Sequence, residues 1–148
     1  MSIEEFVKEI ERMKDRYLYK AKRKDNGEWV TGSLITYKDG TCKIVTNCLE
    51  GNIAILVSAY DVDKDTICQC TGLKDKKDKL IWENDIIECR LGKVIVHWDD
   101  TEWKLKNHDA FIWYKDLYYW VISDRKAEVI GNIFDNPELN PELLESEE

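Results

Sequence analysis

The sequence predicts a mainly β (α+β) fold, in which an N-terminal amphipathic helix is followed by a β-rich domain. Aromatic residues are numerous, with six Trp and seven Tyr among 148 residues, and such side chains favour pleated, half-buried surfaces. Short alternating or apolar runs recur at close spacing between turn residues, a pattern typical of a compact barrel-like sheet. Apolar residues recur at helical spacing at the start of the chain, so the helix is expected there.

The N-terminal segment, residues 1–16, is predicted to be helical from residue 3 to residue 15. Ser2 and Glu5 fit a capping box, in which each side chain bonds the other residue's backbone amide. The apolar stripe that follows consists of Ile3, Phe6, Val7, Ile10 and Met13. A stripe of this size is rarely left in water. It covers either the chain's own sheet or a second copy of the chain, and we expect a homo-oligomer that uses these residues.

The β-rich domain is predicted over residues 17–134, and an acidic C-terminal tail over residues 135–148. The sequence DNG at 25–27 is a hairpin signal, because Asn and Gly tolerate positive φ. The segment AEVIGNIF supplies the last strand. The stretch FIWYKDLYYWVI, residues 111–122, fits a strand pair or a helix, and its aromatic and β-branched content favours strand.

The negative charge of the chain is concentrated in the tail. The formal net charge is −8, but residues 135–148 contain six acids and no Lys or Arg, which leaves 24 acids against 22 bases elsewhere. A nearly neutral body argues against a general binder of phosphate backbones and leaves room for a local basic patch.

No targeting or membrane segment is predicted. The N-terminus lacks the apolar core of a signal peptide, and no apolar run reaches the length of about 18 residues that a membrane helix needs. An odd count of five Cys without extracellular context favours reduced thiols. We therefore expect a cytoplasmic protein with no membrane partner.

Basic and aromatic residues are interleaved in the first predicted hairpin. The residues concerned are Tyr19, Lys20, Lys22, Arg23, Lys24 and Trp29. Cations beside aromatic rings suit single-stranded nucleic acid, by phosphate attraction and base stacking. The same pattern also fits an ordinary strand pair with aromatic residues inside and lysines outside.

The remaining motifs favour structural roles over catalytic or metal-binding roles. Glu83 and Asp85 flank Asn84 in a way that fits an acid–base pair, a metal site or an ordinary turn, and turn chemistry is favoured because no third group converges on them. The cysteines lack a CxxC pair, and no phosphate-loop, dinucleotide or hydrolase signature is present. We expect no catalytic residues, no cofactor and no metal, and hence not an enzyme.

Three separated segments carry a family resemblance. They read YKAKRKDNGEWVTGSLI (19–35), QCTGLKDKKDKLIWENDIIEC (69–89) and EVIGNIFDNPEL (128–139). In this order and spacing the chain resembles the YopX family of small proteins encoded by bacteriophages and prophages. The resemblance implies a β-rich fold with an SH3-like barrel portion, a phage or prophage origin and self-association. It implies no activity and no catalytic residues.

Two departures from the family pattern fall in turns. The family usually has Gly at the position of Asn84, and since Asn also visits the left-handed region, the turn should survive. The family commonly has Asn-Gly where this chain has Lys77 and Asp78, so this hairpin tip should be looser or differently wound.

These features together predict a phage or prophage accessory protein that is a non-enzymatic binding module. It would act on a host or phage protein through a β-barrel surface. Three alternatives are a nucleic-acid-binding module using the hairpin 17–29, an acidic host-directed inhibitor and a cryptic enzyme.

Overall fold

The protein is described by a computed structural model in which the described residues are 2–5, 15–50, 53–90, 92–99, 102–106, 117, 121 and 126–140. The chain divides into two compact units, Met1–Cys70 and Thr71–Glu148. The described structure is mainly antiparallel β, as predicted, and its ten strands belong to two sheets.

The first unit contains four consecutive antiparallel strands and the start of a fifth. These strands are β1 (Tyr19–Lys22), β2 (Trp29–Thr36), β3 (Cys42–Glu50), β4 (Ile53–Val62) and β5 (Cys68–Lys74), the last of which continues into the second unit. The strand order in this unit is β4-β3-β2-β1-β5. The predicted hairpin at residues 25–27 joins β1 to β2, with Gly27 at φ +73°.

Strand β2 serves two neighbours in turn. Residues 29–32 pair with β1, and residues 33–36 pair with β3. Gly32 lies at the changeover, where the backbone of Val45 on β3 approaches closely. The core beneath these strands is formed by Ala21, Cys42, Ile44 and Val62, with Tyr19, Val30, Leu34 and Ile67 packed against them.

The ends of β1 and β4 are also joined. Arg23 and Val62 form an isolated antiparallel bridge, and the Asp63 amide donates to the carbonyl of Lys22 at 2.8 Å. A 3₁₀ turn, Lys64–Thr66, then leads to β5. The described strands nevertheless form open sheets and no closed barrel, so the SH3-like barrel portion is not confirmed.

The second unit contains the end of β5, a short partner strand and a four-stranded antiparallel sheet. The strands are β6 (Leu80–Trp82), β7 (Asp85–Cys89), β8 (Gly92–Asp99), β9 (Glu102–Lys106) and β10 (Glu128–Asn132). β6 pairs with β5, and the four-stranded sheet has the order β10-β7-β8-β9. The buried core of this unit is formed by Leu73, Ile81, Ile87, Val94, Val96, Leu105, Leu117, Val121, Ala127 and Val129.

Two predictions concern elements at the edge of the described structure. Ser2 and Glu5 form the predicted capping box, with reciprocal bonds of 2.8 and 3.1 Å. The helical turn that is described there covers residues 3–5, and residues 6–14 lie outside the described residues.

In the stretch 111–122, the two described residues, Leu117 and Val121, are helical and buried, so the preference for strand is wrong at these positions. Both side chains belong to the buried core of the second unit. Burial at these two positions outweighs the β propensity of the sequence.

Two hairpin turns share one hydrogen-bond pattern. At residues 37–41 the Gly40 amide donates to the Tyr37 carbonyl at 3.0 Å. At residues 75–79 the Asp78 amide donates in the same way to the Asp75 carbonyl at 2.9 Å. The fourth residue has positive φ in both turns, +88° at Gly40 and +66° at Asp78. Asp78 therefore occupies the position where the glycine of an Asn-Gly turn is favoured.

A reciprocal exchange at these turns tests the backbone strain. Asp78→Gly is expected to stabilise the chain, and Gly40→Asp to destabilise it, each by about 0.5 to 1 kcal/mol, because a side chain is disfavoured in the left-handed region. The Lys74–Asp78 ion pair that the first change removes is 3.9 Å long and exposed, so its loss has little effect. Urea unfolding measures both changes, and a destabilising Asp78→Gly would contradict the prediction.

Candidate functional site

The basic hairpin presents four polar or aromatic side chains on the face opposite to the core. Ala21 of β1 is fully buried, so its neighbours Lys20 and Lys22 point the other way. The antiparallel register places Trp29 opposite Lys22, and Thr31 opposite Lys20. We call these four residues the outer hairpin face.

Trp29 is contacted by both lysines. The Lys20 ammonium nitrogen lies 4.7 Å from the centroid of the indole ring, and that of Lys22 lies 5.4 Å from it. Both distances are within the range of attractive cation–π contacts. Trp29 is half-buried and so are the two lysines. The ring therefore holds two positive charges together on one strand face.

The other predicted members of the nucleic-acid site lie elsewhere. Tyr19 packs against the core of the first unit. The guanidinium of Arg23 lies 4.2 Å from the ring centroid of Tyr60 and forms a 2.5 Å ion pair with Asp25. The side-chain hydrogen bond between Arg23 and Asp25 raises the pKa of the first and lowers the pKa of the second. The charge of Arg23 is thus matched by a neighbouring carboxylate.

Lys24 lies among carboxylates at the tip of the hairpin. It lines a cleft of about 360 Å³ with Asp25 and Asp61, and a second cleft of about 230 Å³ whose lining includes Asp39 and Asp63. The Thr41 hydroxyl donates to Asp39 at 2.6 Å and is the main cause of the lowered pKa of that carboxyl. The electrostatic character of the hairpin therefore changes along its length, from cations on the outer hairpin face to acids at the tip.

Sequence reasoning missed two contributors to this hairpin. Thr31 is exposed beside Lys20, and it was detectable because it lies two residues after Trp29 and so on the same face of the strand. Tyr60 approaches Arg23 from β4, and no local signal in the sequence indicates that contact.

The acidic turn before β7 has a structural explanation. Asp85 is 3% exposed, and its carboxylate accepts a 2.8 Å hydrogen bond from the Trp82 amide. Asn84 has φ +69°, so the prediction that Asn would support the left-handed turn is confirmed. Turn chemistry accounts for Asp85, as the sequence favoured.

The thiols and other ligand types are dispersed. Cys42, Cys68 and Cys70 are buried, and Cys89 is half-buried. Among the described residues, no group of three or more His, Cys, Asp or Glu side chains is arranged to hold a metal ion.

The residues predicted to mediate self-association are largely outside the described structure. Ile3 is 83% exposed, while Phe6, Val7, Ile10 and Met13 fall within the segment that is not described. Self-association through this stripe stays a prediction. In the part of the chain that the structure covers, no helix is long and apolar enough to cross a membrane.

The described residues form a mainly β fold with two antiparallel sheets, one of which carries a basic and aromatic outer face. A family model described as YopX protein matches residues 18–145. The chain therefore belongs to the YopX family. A search among curated proteins finds no match.

Proposed function

We propose that this protein is a non-enzymatic binding module and that the outer hairpin face is its ligand-binding surface. The observation that carries the proposal is the position of the Lys20 and Lys22 ammonium groups, 4.7 and 5.4 Å from the ring centroid of Trp29. A cation–π contact holds an ammonium group close to an aromatic ring. The face thus offers two cations beside an aromatic surface, which suits an anionic ligand.

We further propose that the first unit is the SH3-like barrel portion of the protein. Three features support this: β2 pairs in turn with β1 and β3 around Gly32, a 3₁₀ turn at residues 64–66 precedes β5, and β5 returns to pair with β1. The Arg23–Val62 bridge draws the ends of β1 and β4 together. A site built on such strands is held more rigidly than a site on loops.

The setting that we propose is that of an accessory protein of a bacteriophage or prophage, acting on a host or phage partner. Its support is membership of the YopX family. The outer hairpin face alone supports the binding activity that we propose, because a fold does not specify a function.

Heparin, a polyanion without bases, tests the surface itself. The parent chain is expected to bind a heparin column at low ionic strength in spite of its net charge of −8, because two cations are held on one face, and salt should elute it. Changing Lys20 and Lys22 together to glutamate should abolish this retention.

The matched control is Lys38→Glu combined with Lys74→Glu. It changes the net charge by the same amount at two other hairpins, and it should leave retention nearly intact. Circular dichroism checks that both double variants fold. Equal loss of retention in the two would contradict the proposal, because net charge alone would then govern binding.

A further inference from the structure

We infer that Asn26 is a covalent modification site, at which the Gly27 nitrogen attacks the side-chain amide and converts it to a carboxylate. The closed hairpin between β1 and β2 controls the rate of this reaction. The inference goes beyond the proposed function and does not depend on it. We call residues 23–28 the hairpin turn.

Asn26 and Gly27 form the one Asn-Gly pair in the sequence. Asparagine is among the chemically labile residues of proteins. It is most labile before glycine, because glycine has no side chain to obstruct attack by its backbone nitrogen. Both residues are exposed, so water and hydroxide ions reach them. The residue types and their exposure therefore place the reaction at this turn.

The reaction has two steps, and water is its only co-reactant. The Gly27 nitrogen loses its proton and bonds to Cγ of Asn26, while the bond from Cγ to Nδ2 breaks and that nitrogen takes up a proton and leaves as ammonia. Water then opens the cyclic imide. Cleavage of the bond from the imide nitrogen to Cγ gives aspartate. Cleavage of its bond to the backbone carbonyl carbon gives isoaspartate, in which the main chain runs through the former side chain.

The closed hairpin turn engages both reacting groups in other bonds. The Gly27 amide, which must lose its proton, donates to the Arg23 carbonyl at 2.9 Å. The side-chain oxygen of Asn26 accepts the Glu28 amide at 2.9 Å, and its NH₂ group donates to the Glu28 carboxylate at 3.3 Å. The Gly27 bond must break before its nitrogen attacks, and the Nδ2 bond must break before ammonia leaves. The reaction therefore proceeds from an opened turn.

Contacts with β4 keep the hairpin turn closed. The Arg23 guanidinium lies 4.2 Å from the ring centroid of Tyr60, and the Lys24 amide donates to the Asp61 carbonyl at 2.9 Å. Within the turn, Arg23 also forms an ion pair with Asp25. The rate of modification therefore depends on contacts with a strand that is distant in the sequence.

Modification weakens the turn that restrains it. Loss of the NH₂ group removes the donor to the Glu28 carboxylate, and the new carboxylate adds a negative charge to a turn that already contains Asp25 and Glu28. Isoaspartate also lengthens the main chain by one carbon atom, which displaces Gly27 from the Arg23 carbonyl. Because the released ammonia is lost to the solvent, modified chains with a loosened hairpin accumulate.

Peptide mapping by mass spectrometry measures the rate at Asn26 in the whole chain and in a capped peptide of residues 22–30, at the same neutral pH and temperature. The folded chain should react roughly five- to 150-fold more slowly than the peptide, the factor expected from two hydrogen bonds of ordinary net strength. In urea that unfolds the chain, its rate should rise to that of the peptide in the same urea. A folded chain that reacts as fast as the peptide, or faster, would overturn the inference.

Tyr60→Leu tests the contact with β4. It removes the ring beside Arg23 without changing the sequence around Asn26. The reaction in the folded chain should become roughly two- to fivefold faster, the effect of losing one exposed cation–π contact. Tyr17→Leu is the matched control, because Tyr17 is 75% exposed ahead of β1, and it should leave the rate unchanged.

Circular dichroism checks that both variants fold. No acceleration by Tyr60→Leu, or equal acceleration by the two variants, would contradict control of the rate by this contact. If a variant fails to fold, the comparison of the parent chain with the peptide still decides the inference.

Amide hydrogen exchange on the modified fraction tests the consequence for the hairpin. The Arg23 amide donates to the Glu28 carbonyl at 2.9 Å across the turn, and its protection should fall in chains that carry isoaspartate. Unchanged protection at Arg23 would show that the turn closes around the product, and it would overturn the predicted loosening.

Discussion

Replacing Gly32 with alanine is expected to destabilise the first unit by about 3 kcal/mol, at the upper end of the usual effect of overpacking. A Cβ at this position would lie 2.9 Å from the Val45 carbonyl carbon, closer still to its oxygen, and 3.2 Å from Cγ2 of the fully buried Ile44. The obstructing atoms belong to the Val45 backbone, so no change of side-chain rotamer can relieve the clash. β2 and β3 must therefore separate at the point where β2 passes from one partner strand to the other.

Two other glycines provide matched controls for this prediction. A Cβ at Gly131 would lie 2.7 Å from Cγ of Asn136, whose amide group can rotate away, and 3.0 Å from Cβ of the same residue, which rotation does not move. Gly131→Ala should therefore destabilise by about 1 to 2 kcal/mol, through the lost hydrogen bond to Asn132 and a small shift of the backbone. A Cβ at Gly40 has nothing within 4 Å, but φ is +88°. Gly40→Ala should therefore show backbone strain alone, again about 1 kcal/mol.

Urea unfolding followed by circular dichroism ranks the three variants. Gly32→Ala is expected to be clearly more destabilising than Gly131→Ala and Gly40→Ala. If Gly32→Ala lowered the free energy of unfolding no more than Gly40→Ala does, β3 would be able to move away from β2 at little cost. That result would contradict the tight approach of the two strands.

Local features of the fold were predictable because their causes are local. Ser2 and Glu5 are three residues apart, and the capping box depends on those two side chains alone. The hairpin at residues 25–27 and the positive φ of Asn84 follow from residue types that tolerate the left-handed region. Each of these predictions is confirmed by the structure.

Features that depend on distant pairing were not predictable from one sequence. The return of β5 to β1 joins residues such as Tyr19 and Gln69, and periodicity carries no information on which strands pair. The helical conformation at Leu117 and Val121 depends on burial in the second unit's core, against the local propensity for strand. The division of the described strands into two open sheets is a property of these long-range contacts.

In the candidate site, too, local placement was predictable from the sequence and distant contacts were not. The sequence placed Lys20, Lys22 and Trp29 in one predicted hairpin, and alternation and the turn put them on a common face. The same alternation puts Arg23 on the side of Ala21, away from these lysines, whereas its contact with the Tyr60 ring of β4 could not be predicted from one sequence. The contacts of charged side chains, rather than their sequence positions, decide which of them form the face.

Asp75 is a buried acid whose loss should destabilise the second unit strongly. The residue is 7% exposed. One oxygen of its carboxylate accepts the amides of Lys77 and Lys79, both at 2.9 Å, and the other accepts the amide of Val129 at 2.9 Å. A single side chain thus closes the turn after β5 and fixes that turn to β10, which is 54 residues away in the chain.

Asp75→Ala leaves three backbone donors without this acceptor and is expected to destabilise the chain by about 4 kcal/mol. Each buried donor that loses its acceptor costs about 1 to 3 kcal/mol, and the cost is smaller for the two donors at the turn because water can reach them. Asp75→Asn should cost about 2 kcal/mol, because the amide oxygen can retain the turn while its NH₂ group meets the Val129 donor. Asp39→Ala, which removes an exposed turn carboxylate bonded to Thr41, is the control and should cost about 1 kcal/mol.

Amide hydrogen exchange adds a readout that is specific to position: in Asp75→Asn, protection should fall at Val129 and persist at Lys79. Equal loss of protection at both amides would mean that the asparagine does not hold the turn. If Asp75→Ala were no more destabilising than Asp39→Ala, the carboxylate would not be the link between the turn and β10.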